Sequence, residues 1–193
     1  MFSGKPQSFV TANFYTASAS VTPGGPQVAY AMTSMHVSVK SAAFPDWIWA
    51  NFENAYTPGR CDQTGCADSF GAQVPQVAAN ATAWGQYGAC AKSAAVTQLM
   101  SAAGLAPVFA NYCLTGTQTT FGTATNPTLL GSPIIEPLNA NVALDVSSCI
   151  SCHGGASFNA AGTPNFNIGG VGPQSPPSGY VAYDFMWGLL GAQ

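Results

Sequence analysis

Two cysteines and a histidine lie within one short segment, which reads Cys149-Ile150-Ser151-Cys152-His153. This C-x-x-C-H spacing is typical of covalent haem attachment, in which both thiols add to porphyrin vinyl groups and the imidazole binds the iron. The sequence therefore predicts one haem c, tethered by Cys149 and Cys152, with His153 as its proximal ligand. A zinc half-site, a dithiol redox pair and a structural disulfide are the alternatives. Zinc needs four ligands and a redox dithiol expects a βαβ setting, and neither context is evident in the sequence.

The motif is predicted to lie on an amphipathic helix. Asn139 or Asn141 can cap the start of this helix, and the glycine pair at 154–155 can end it. Apolar residues, the first thiol and the imidazole recur at helical spacing and share one face: Val142, Val146, Cys149, Ile150 and His153. Such a face would lie against a porphyrin, although an ordinary core helix has the same periodicity.

Charged residues are scarce, at 6% of the chain, where about 25% is typical of soluble proteins. A net charge of −3 spread over so few ionisable groups provides no polybasic patch, so we expect neither a nucleic-acid partner nor binding to an anionic membrane surface. No apolar stretch is long enough to predict a membrane span. A nearly uncharged surface repels its own copies weakly, which keeps a homo-oligomer or a larger assembly among the alternatives.

Four further cysteines, Cys61, Cys66, Cys90 and Cys113, allow three disulfide pairings. We favour Cys61–Cys66, across a tight turn, and Cys90–Cys113, over free buried thiols. Disulfides and haem attachment to thiols both indicate a periplasmic or extracellular protein. The first residues lack the apolar run of a signal peptide, so we expect a mature chain, a fragment or a trimmed form.

The coarse pattern predicts an α+β fold in a single cytochrome c-like haem domain, residues 1–193. Strand-like segments at 7–21 and 27–40 suggest a hairpin around a Pro-Gly-Gly-Pro turn, and a tryptophan-rich strand follows at 44–52. The N-terminal half is thus β-rich and the chain is loop-rich. Its few short helices include one at 92–103, with an apolar face and a scaffold role, and the C-terminal haem-attachment helix.

Four segments together resemble a family of bacterial, mostly exported cytochrome c-like proteins. The family's elements are Met/Leu-His-Ile, Trp-x-Trp-Ala-Thr-Phe-Glu-His, the haem motif and a closing Asp-Phe-x-Trp. Here they read Met35-His36-Val37, Trp47-Ile48-Trp49-Ala50-Asn51-Phe52-Glu53, Ser147-Ser148-Cys149-Ile150-Ser151-Cys152-His153 and Asp184-Phe185-Met186-Trp187. The resemblance covers about residues 30 to 190, and only the haem motif is specific. It implies a single-haem electron-transfer protein, and this chain departs from it at Asn54, where the family often has histidine.

The function depends on the sixth iron ligand. His36 is predicted to be this ligand because the chain has only 2 histidines, and Met35 and Met186 are the alternatives. Trp47 and Trp49 could line the haem pocket or fill the core. We expect a monohaem c-type cytochrome that passes single electrons between redox partner proteins, rather than an enzyme. A haem oxidoreductase with an open sixth site, peroxidase-like, and a structural or assembly-forming haem protein remain alternatives, and no catalytic residue is predicted.

Overall fold

The structure is a computed structural model that describes residues 2, 4–60, 90–123, 125, 128–136, 143, 146–165 and 172–187. Within these residues the helices are α1 (Gln7–Asn13), α2 (Ala94–Ala102) and α3 (Cys149–Gly154), with a 3-10 helix at Pro107–Asn111. The strands are β1 (Thr16–Ala19), β2 (Val28–Ala31), β3 (Ser34–Ser41), β4 (Phe44–Asn54), β5 (Tyr112–Gln118), β6 (Ser157–Asn159) and β7 (Tyr180–Ala182).

The strands form three small sheets. β1 pairs antiparallel with β2, β6 pairs antiparallel with β7, and β3, β4 and β5 form a three-stranded sheet in that order. This mixture of helices and antiparallel sheets agrees with the predicted α+β class. No helix within the described ranges is long and apolar enough to cross a membrane.

The chain divides into two compact units. The first unit comprises Met1–Met35 and Phe52–Thr115, and the second comprises His36–Asn51 and Gly116–Gln193. The second unit therefore contains the C-x-x-C-H motif together with His36, whereas Met35 belongs to the first. The expectation of one domain over residues 1–193 stays a prediction.

The core of the first unit forms around Phe14 and Tyr112, both of which are buried. The Tyr112 hydroxyl accepts a hydrogen bond from the Tyr15 backbone N–H at 3.0 Å and donates one to the Met32 carbonyl. Because this hydroxyl both accepts and donates a hydrogen bond, its burial costs little free energy. Tyr112 thus joins two segments that are far apart in the chain.

The predicted disulfide Cys90–Cys113 is confirmed, with Cα atoms 5.5 Å apart. Cys113 is at the buried start of β5, so the bridge anchors the segment that leads into α2. The other predicted bridge, Cys61–Cys66, lies outside the described residues.

Replacing both Cys90 and Cys113 with serine is expected to lower the free energy of unfolding by about 3 kcal/mol, because the bridge restricts the unfolded chain. The two cysteines are 23 positions apart, which sets the size of the closed loop. Urea unfolding under oxidising conditions measures the loss. Wild-type protein in reductant is the control and should be at least as unstable as the variant, since the reductant also opens the predicted Cys61–Cys66 bridge. Equal stability of the oxidised wild type and the variant would show that the bridge contributes nothing.

Part of the N-terminal prediction is wrong. Residues 7–13 form helix α1 instead of a strand, and the hairpin is shorter, pairing Thr16 with Ala31 and Ala19 with Val28. The structure has a helix here because its turn places Val10 in the core and leads directly to buried Phe14. The tryptophan-rich strand is confirmed as β4.

Helix α2 forms close to its predicted place but does not bury the predicted apolar face. Ser93 caps its start through a hydrogen bond from Val96 N–H to the serine hydroxyl, and Gly104, with φ of 66°, follows its end. No side chain of α2 is buried, and Leu99 is 69% exposed. The helix itself is confirmed, and its scaffold role stays a prediction.

Candidate functional site

Helix α3 carries the C-x-x-C-H motif and begins at Cys149. The sequence predicts a helix that starts near Asn139 or Asn141 and continues into the motif. This continuity is wrong, because Ser148 has extended dihedral angles and acts as the N-cap of a helix that begins at Cys149. Residues 137–142 lie outside the described part of the chain. Val146 is 54% exposed and does not share an apolar face with the motif.

Three hydrogen bonds hold the first turn of α3. The Cys149 N–H donates to the Leu130 carbonyl at 3.2 Å, and the Ile150 N–H donates to the side-chain oxygen of Gln118 at 3.0 Å. The Ser151 N–H donates to the Ser148 hydroxyl at 3.4 Å. A helix this short is not stable alone, so these partners, together with buried Ile150, fix its position. The motif is thus held by tertiary contacts.

Both cysteines of the motif carry free thiols. Cys149 is buried, and its S–H donates to the Leu130 carbonyl at 3.3 Å, whereas Cys152 is half-buried. Burial raises the pKa of the Cys149 thiol, and burial raises that of Cys152 to about 11, with the nearby Glu136 carboxylate adding to both shifts. The two sulfur atoms are therefore protonated thiols at neutral pH.

The imidazole of His153 is oriented by a backbone carbonyl. Its Nδ1 lies 2.8 Å from the carbonyl oxygen of Phe185. Because a carbonyl oxygen only accepts, Nδ1 carries the proton and the neutral ring keeps its lone pair on Nε2. Burial lowers the pKa of His153, and this favours the neutral ring. His153 can therefore bind a metal through Nε2.

Aromatic rings surround this helix. The buried residues Trp49, Leu130, Cys149 and Ile150 form an apolar cluster, with Trp47, Phe121 and Phe185 packed against it. The ring of Trp49 lies 4.4 Å from that of His153, centroid to centroid. Trp49 is only 4% exposed and therefore belongs to the core, while half-buried Trp47 lies at the edge of the cluster.

Three non-glycine residues near the motif have left-handed backbone conformations. These are Trp47, with φ of 67°, Asp184, with φ of 42°, and Phe185, with φ of 68°. Asp184 accepts hydrogen bonds from Lys40 at 2.6 Å and from the Trp47 indole at 3.3 Å. Such conformations cost about 1–3 kcal/mol each and persist where surrounding contacts impose them. The strain here positions the carbonyl that binds His153.

The closing Asp184–Trp187 segment also contacts the helix directly. The indole N–H of Trp187 donates to the carbonyl of Cys152 at 3.1 Å, a carbonyl that also accepts the N–H of the C-cap residue Gly155 at 3.2 Å. Trp47, the C-x-x-C-H motif and this closing segment, which lie far apart in the sequence, therefore meet in the second unit. Membership of the family that they resemble stays a prediction.

His36 and Glu136 lie beside Cys149. The Nε2 atom of His36 is 3.8 Å from a carboxylate oxygen of Glu136, and both ligand atoms lie within 4.8 Å of the Cys149 sulfur. Burial lowers the pKa of His36, and a side-chain hydrogen bond with Asn51 opposes that shift. Burial raises the pKa of Glu136, whose second oxygen accepts from the Ser132 N–H.

Glu136 was not singled out from the sequence. The sequence does contain one indication of its role: Glu136 is a charged residue directly after two isoleucines, in a chain with few ionisable residues. The methionines considered as iron ligands are placed less distinctively: Met186 is 37% exposed and Met35 is half-buried in the first unit. The Nε2 atom of His36, in contrast, lies within 4.8 Å of the sulfur of the motif residue Cys149.

Comparison of the chain with protein-family models, curated proteins and solved structures found no match. The chemistry of the site must therefore be argued from its own residues.

Proposed function

We propose that this chain is a monohaem c-type cytochrome that carries single electrons between redox partner proteins outside the cytoplasm. The observation that carries the proposal is the state of the C-x-x-C-H motif. Cys149 and Cys152 are unpaired on one short helix, and the His153 ring is held with its Nε2 lone pair free to bind iron. The resemblance to exported cytochrome c-like proteins supports the same function.

The donor set fits a covalently bound haem. Thioether formation needs two reduced thiols, and iron ligation needs a neutral imidazole with a defined ligand nitrogen. The aromatic side chains packed around the cluster of Trp49, Leu130, Cys149 and Ile150 supply apolar surface of the kind that a porphyrin buries. Cys149 and Cys152 would hold the haem through thioether bonds, and His153 would hold its iron.

A haem bound in this way supplies reversible one-electron oxidation and reduction at its iron. The protein's contribution is to orient and tune the proximal ligand. The Phe185 carbonyl, which accepts the Nδ1 proton of His153, makes the imidazole a stronger donor. A stronger donor stabilises the oxidised iron. The buried ring of Trp49, 4.4 Å from that of His153 between centroids, restricts the orientation of the imidazole.

The sixth ligand proposed is His36, with Met35 and Met186 as alternatives. His36 has a side chain that is 31% exposed, and its Nε2 lies within 4.8 Å of the sulfur of Cys149, a motif residue. A second histidine would close the iron to other ligands, as electron transfer requires.

The position of Glu136 beside His36 supports a second candidate function. A haem oxidoreductase with an open sixth site, peroxidase-like, needs an acid or base beside the iron-binding region, and the pair of His36 and Glu136 is such a group. In that function His36 would transfer protons instead of binding iron. Visible spectra with and without carbon monoxide separate the two functions, since only the open site changes its spectrum.

The test of the proposed function is covalent attachment. The full chain is exported from a bacterial host that attaches haem to C-x-x-C-H motifs, then denatured and extracted with acidified solvent. We expect one haem to remain with the polypeptide by intact mass and by haem staining. The variant in which Cys149 and Cys152 are both alanine is the control and should carry none. Release of all haem from the wild type would disprove the proposal.

A further inference from the structure

Three side chains that are far apart in the sequence place ligand atoms at one point of the second unit. They are His36 on β3, Glu136, and Cys149 at the start of α3. The imidazole nitrogen, carboxylate oxygen and thiol sulfur all lie within 4.8 Å of one another. Nitrogen, oxygen and sulfur donors are the three types that zinc accepts in proteins.

The spacing is near that of a tetrahedral metal site. Bonds of about 2.0 to 2.3 Å place tetrahedral ligand atoms about 3.3 to 3.8 Å apart. His36 Nε2 and Glu136 Oε1 are 3.8 Å apart, and no pair of the three atoms exceeds 4.8 Å. Side-chain rotations that move ligand atoms by about 1 Å would therefore close the site around one ion.

The ligands are already held by neighbouring groups. The second oxygen of Glu136 accepts the Ser132 N–H, which leaves the other oxygen directed towards His36. The side chain of Asn51 acts on His36 and raises the pKa of its imidazole against the effect of burial. Hydrogen bonds of this kind orient the ligands of metal sites and contribute strongly to affinity.

Lys40 is the only lysine or arginine in the sequence of the second unit, and it forms an ion pair with Asp184. The positively charged side chain of this unit is therefore engaged elsewhere. A cation held between His36, Glu136 and Cys149 would offset the negative charge of the Glu136 carboxylate.

We propose that the haem-free chain binds one divalent ion of the zinc class through His36, Glu136 and Cys149, with water as the fourth ligand. The Cys149 thiol releases its proton to solvent as its sulfur bonds the metal. Binding does not depend on the proposed haem function. It excludes thioether formation at Cys149 while the metal is present, because one sulfur cannot serve both bonds.

The test uses the full chain produced without haem attachment, with the Cys90–Cys113 disulfide formed, and titrates it with Co²⁺ as a coloured substitute for Zn²⁺. We expect one ion per chain, visible bands of tetrahedral cobalt and a near-ultraviolet thiolate-to-cobalt absorption. Zn²⁺ should displace the colour. Glu136→Gln and His36→Gln should each weaken binding by about tenfold or more. Cys149→Ser should remove the thiolate absorption.

Cys152→Ser is the matched control, because it removes the other motif thiol and leaves all three proposed ligands. It should bind Co²⁺ with nearly wild-type affinity. Circular dichroism of each metal-free variant shows whether the fold is kept, and Glu136→Gln preserves side-chain size. Absence of the thiolate absorption in the wild type would refute the proposal. Wild-type affinity for Co²⁺ in both Glu136→Gln and His36→Gln would also refute it. Loss of Co²⁺ binding in Cys152→Ser would do the same, since either result indicates that the two motif thiols alone bind the ion.

Failure of the two proposals can be told apart. Haem that leaves the denatured protein, together with stoichiometric Co²⁺ binding by the haem-free chain, would refute only the cytochrome function. Covalent haem, together with no thiolate absorption from Co²⁺, would refute only the metal site.

Discussion

His153→Ala is expected to reduce covalently attached haem to background, whereas His36→Ala is expected to retain one haem per chain with a changed iron spin state. In the proposed cytochrome, His153 would supply the proximal ligand beside the two tethering cysteines, so its loss would remove the ligand nearest the attachment site. His36 is not part of the motif, and its removal would open the sixth position. Intact mass reports attachment, and low-temperature paramagnetic resonance reports the conversion from low-spin to high-spin iron.

An unchanged low-spin signal in His36→Ala would show that His36 is not the sixth ligand. Met186→Leu and Met35→Leu would then identify the ligand, since thioether ligation also raises the reduction potential. Both are conservative in volume, and they serve as controls while His36 is under test. Full haem attachment in His153→Ala would contradict the role of His153.

Gln118→Leu is expected to lower the free energy of unfolding by about 3 kcal/mol. The buried Gln118 amide accepts from the Ile150 N–H at 3.0 Å and donates to the Thr128 carbonyl and to the Ser148 hydroxyl at 3.2 Å. Leucine has a similar volume but no polar atoms, so two buried polar groups and the half-buried Thr128 carbonyl lose this partner. One of them is an N–H in the first turn of α3.

Urea unfolding of the full chain measures this loss. The matched control is Gln98→Leu on α2, where the side chain is exposed and the expected change is below about 0.5 kcal/mol. Equal effects of the two substitutions would mean that the hydrogen bonds of Gln118 do not hold the helix. If Gln118→Leu lowers the haem content while the free energy of unfolding stays near that of the wild type, Gln118 acts mainly at the haem site.

The start of helix α3 could not be read from apolar spacing. Val142, Val146 and Cys149 have helical periodicity, but Ser148 is extended and forms a parallel bridge with Leu130. The Leu130 N–H donates to the Ser147 carbonyl, and the Leu130 carbonyl accepts the Cys149 N–H. A parallel bridge to a distant residue is a non-local contact and leaves no periodic mark in the sequence. The Ser148 side chain is a good cap, and it was the local signal for the observed boundary.

Helix α1 shows the opposite error. Its residues include phenylalanine, valine and threonine, which are frequent in strands. The side chain of Val10 and the following Phe14 are four residues apart, and packing of these two side chains in the core selects the helix over the strand preference. Propensity over so few residues is a weak guide when tertiary packing competes with it.

The candidate site was predictable where chemistry is local and not where it is assembled. Cys149, Cys152 and His153 are adjacent in sequence, so their spacing alone identifies them. Glu136 meets His36 from a position one hundred residues further along the chain, and it has no motif of its own. The carbonyl of Phe185 could not be found by residue type, because every residue has one.

The hydrogen bond between His153 and Phe185 also has a consequence for the order of events during synthesis. The two residues are 32 positions apart, and the ribosome makes the histidine first. Until Phe185 has emerged and taken its left-handed conformation, the imidazole has no carbonyl to select its tautomer. In the proposed cytochrome, haem attached to an exported chain before this contact forms would find a histidine free to bind through either nitrogen. Haem attached after the contact forms would meet only one.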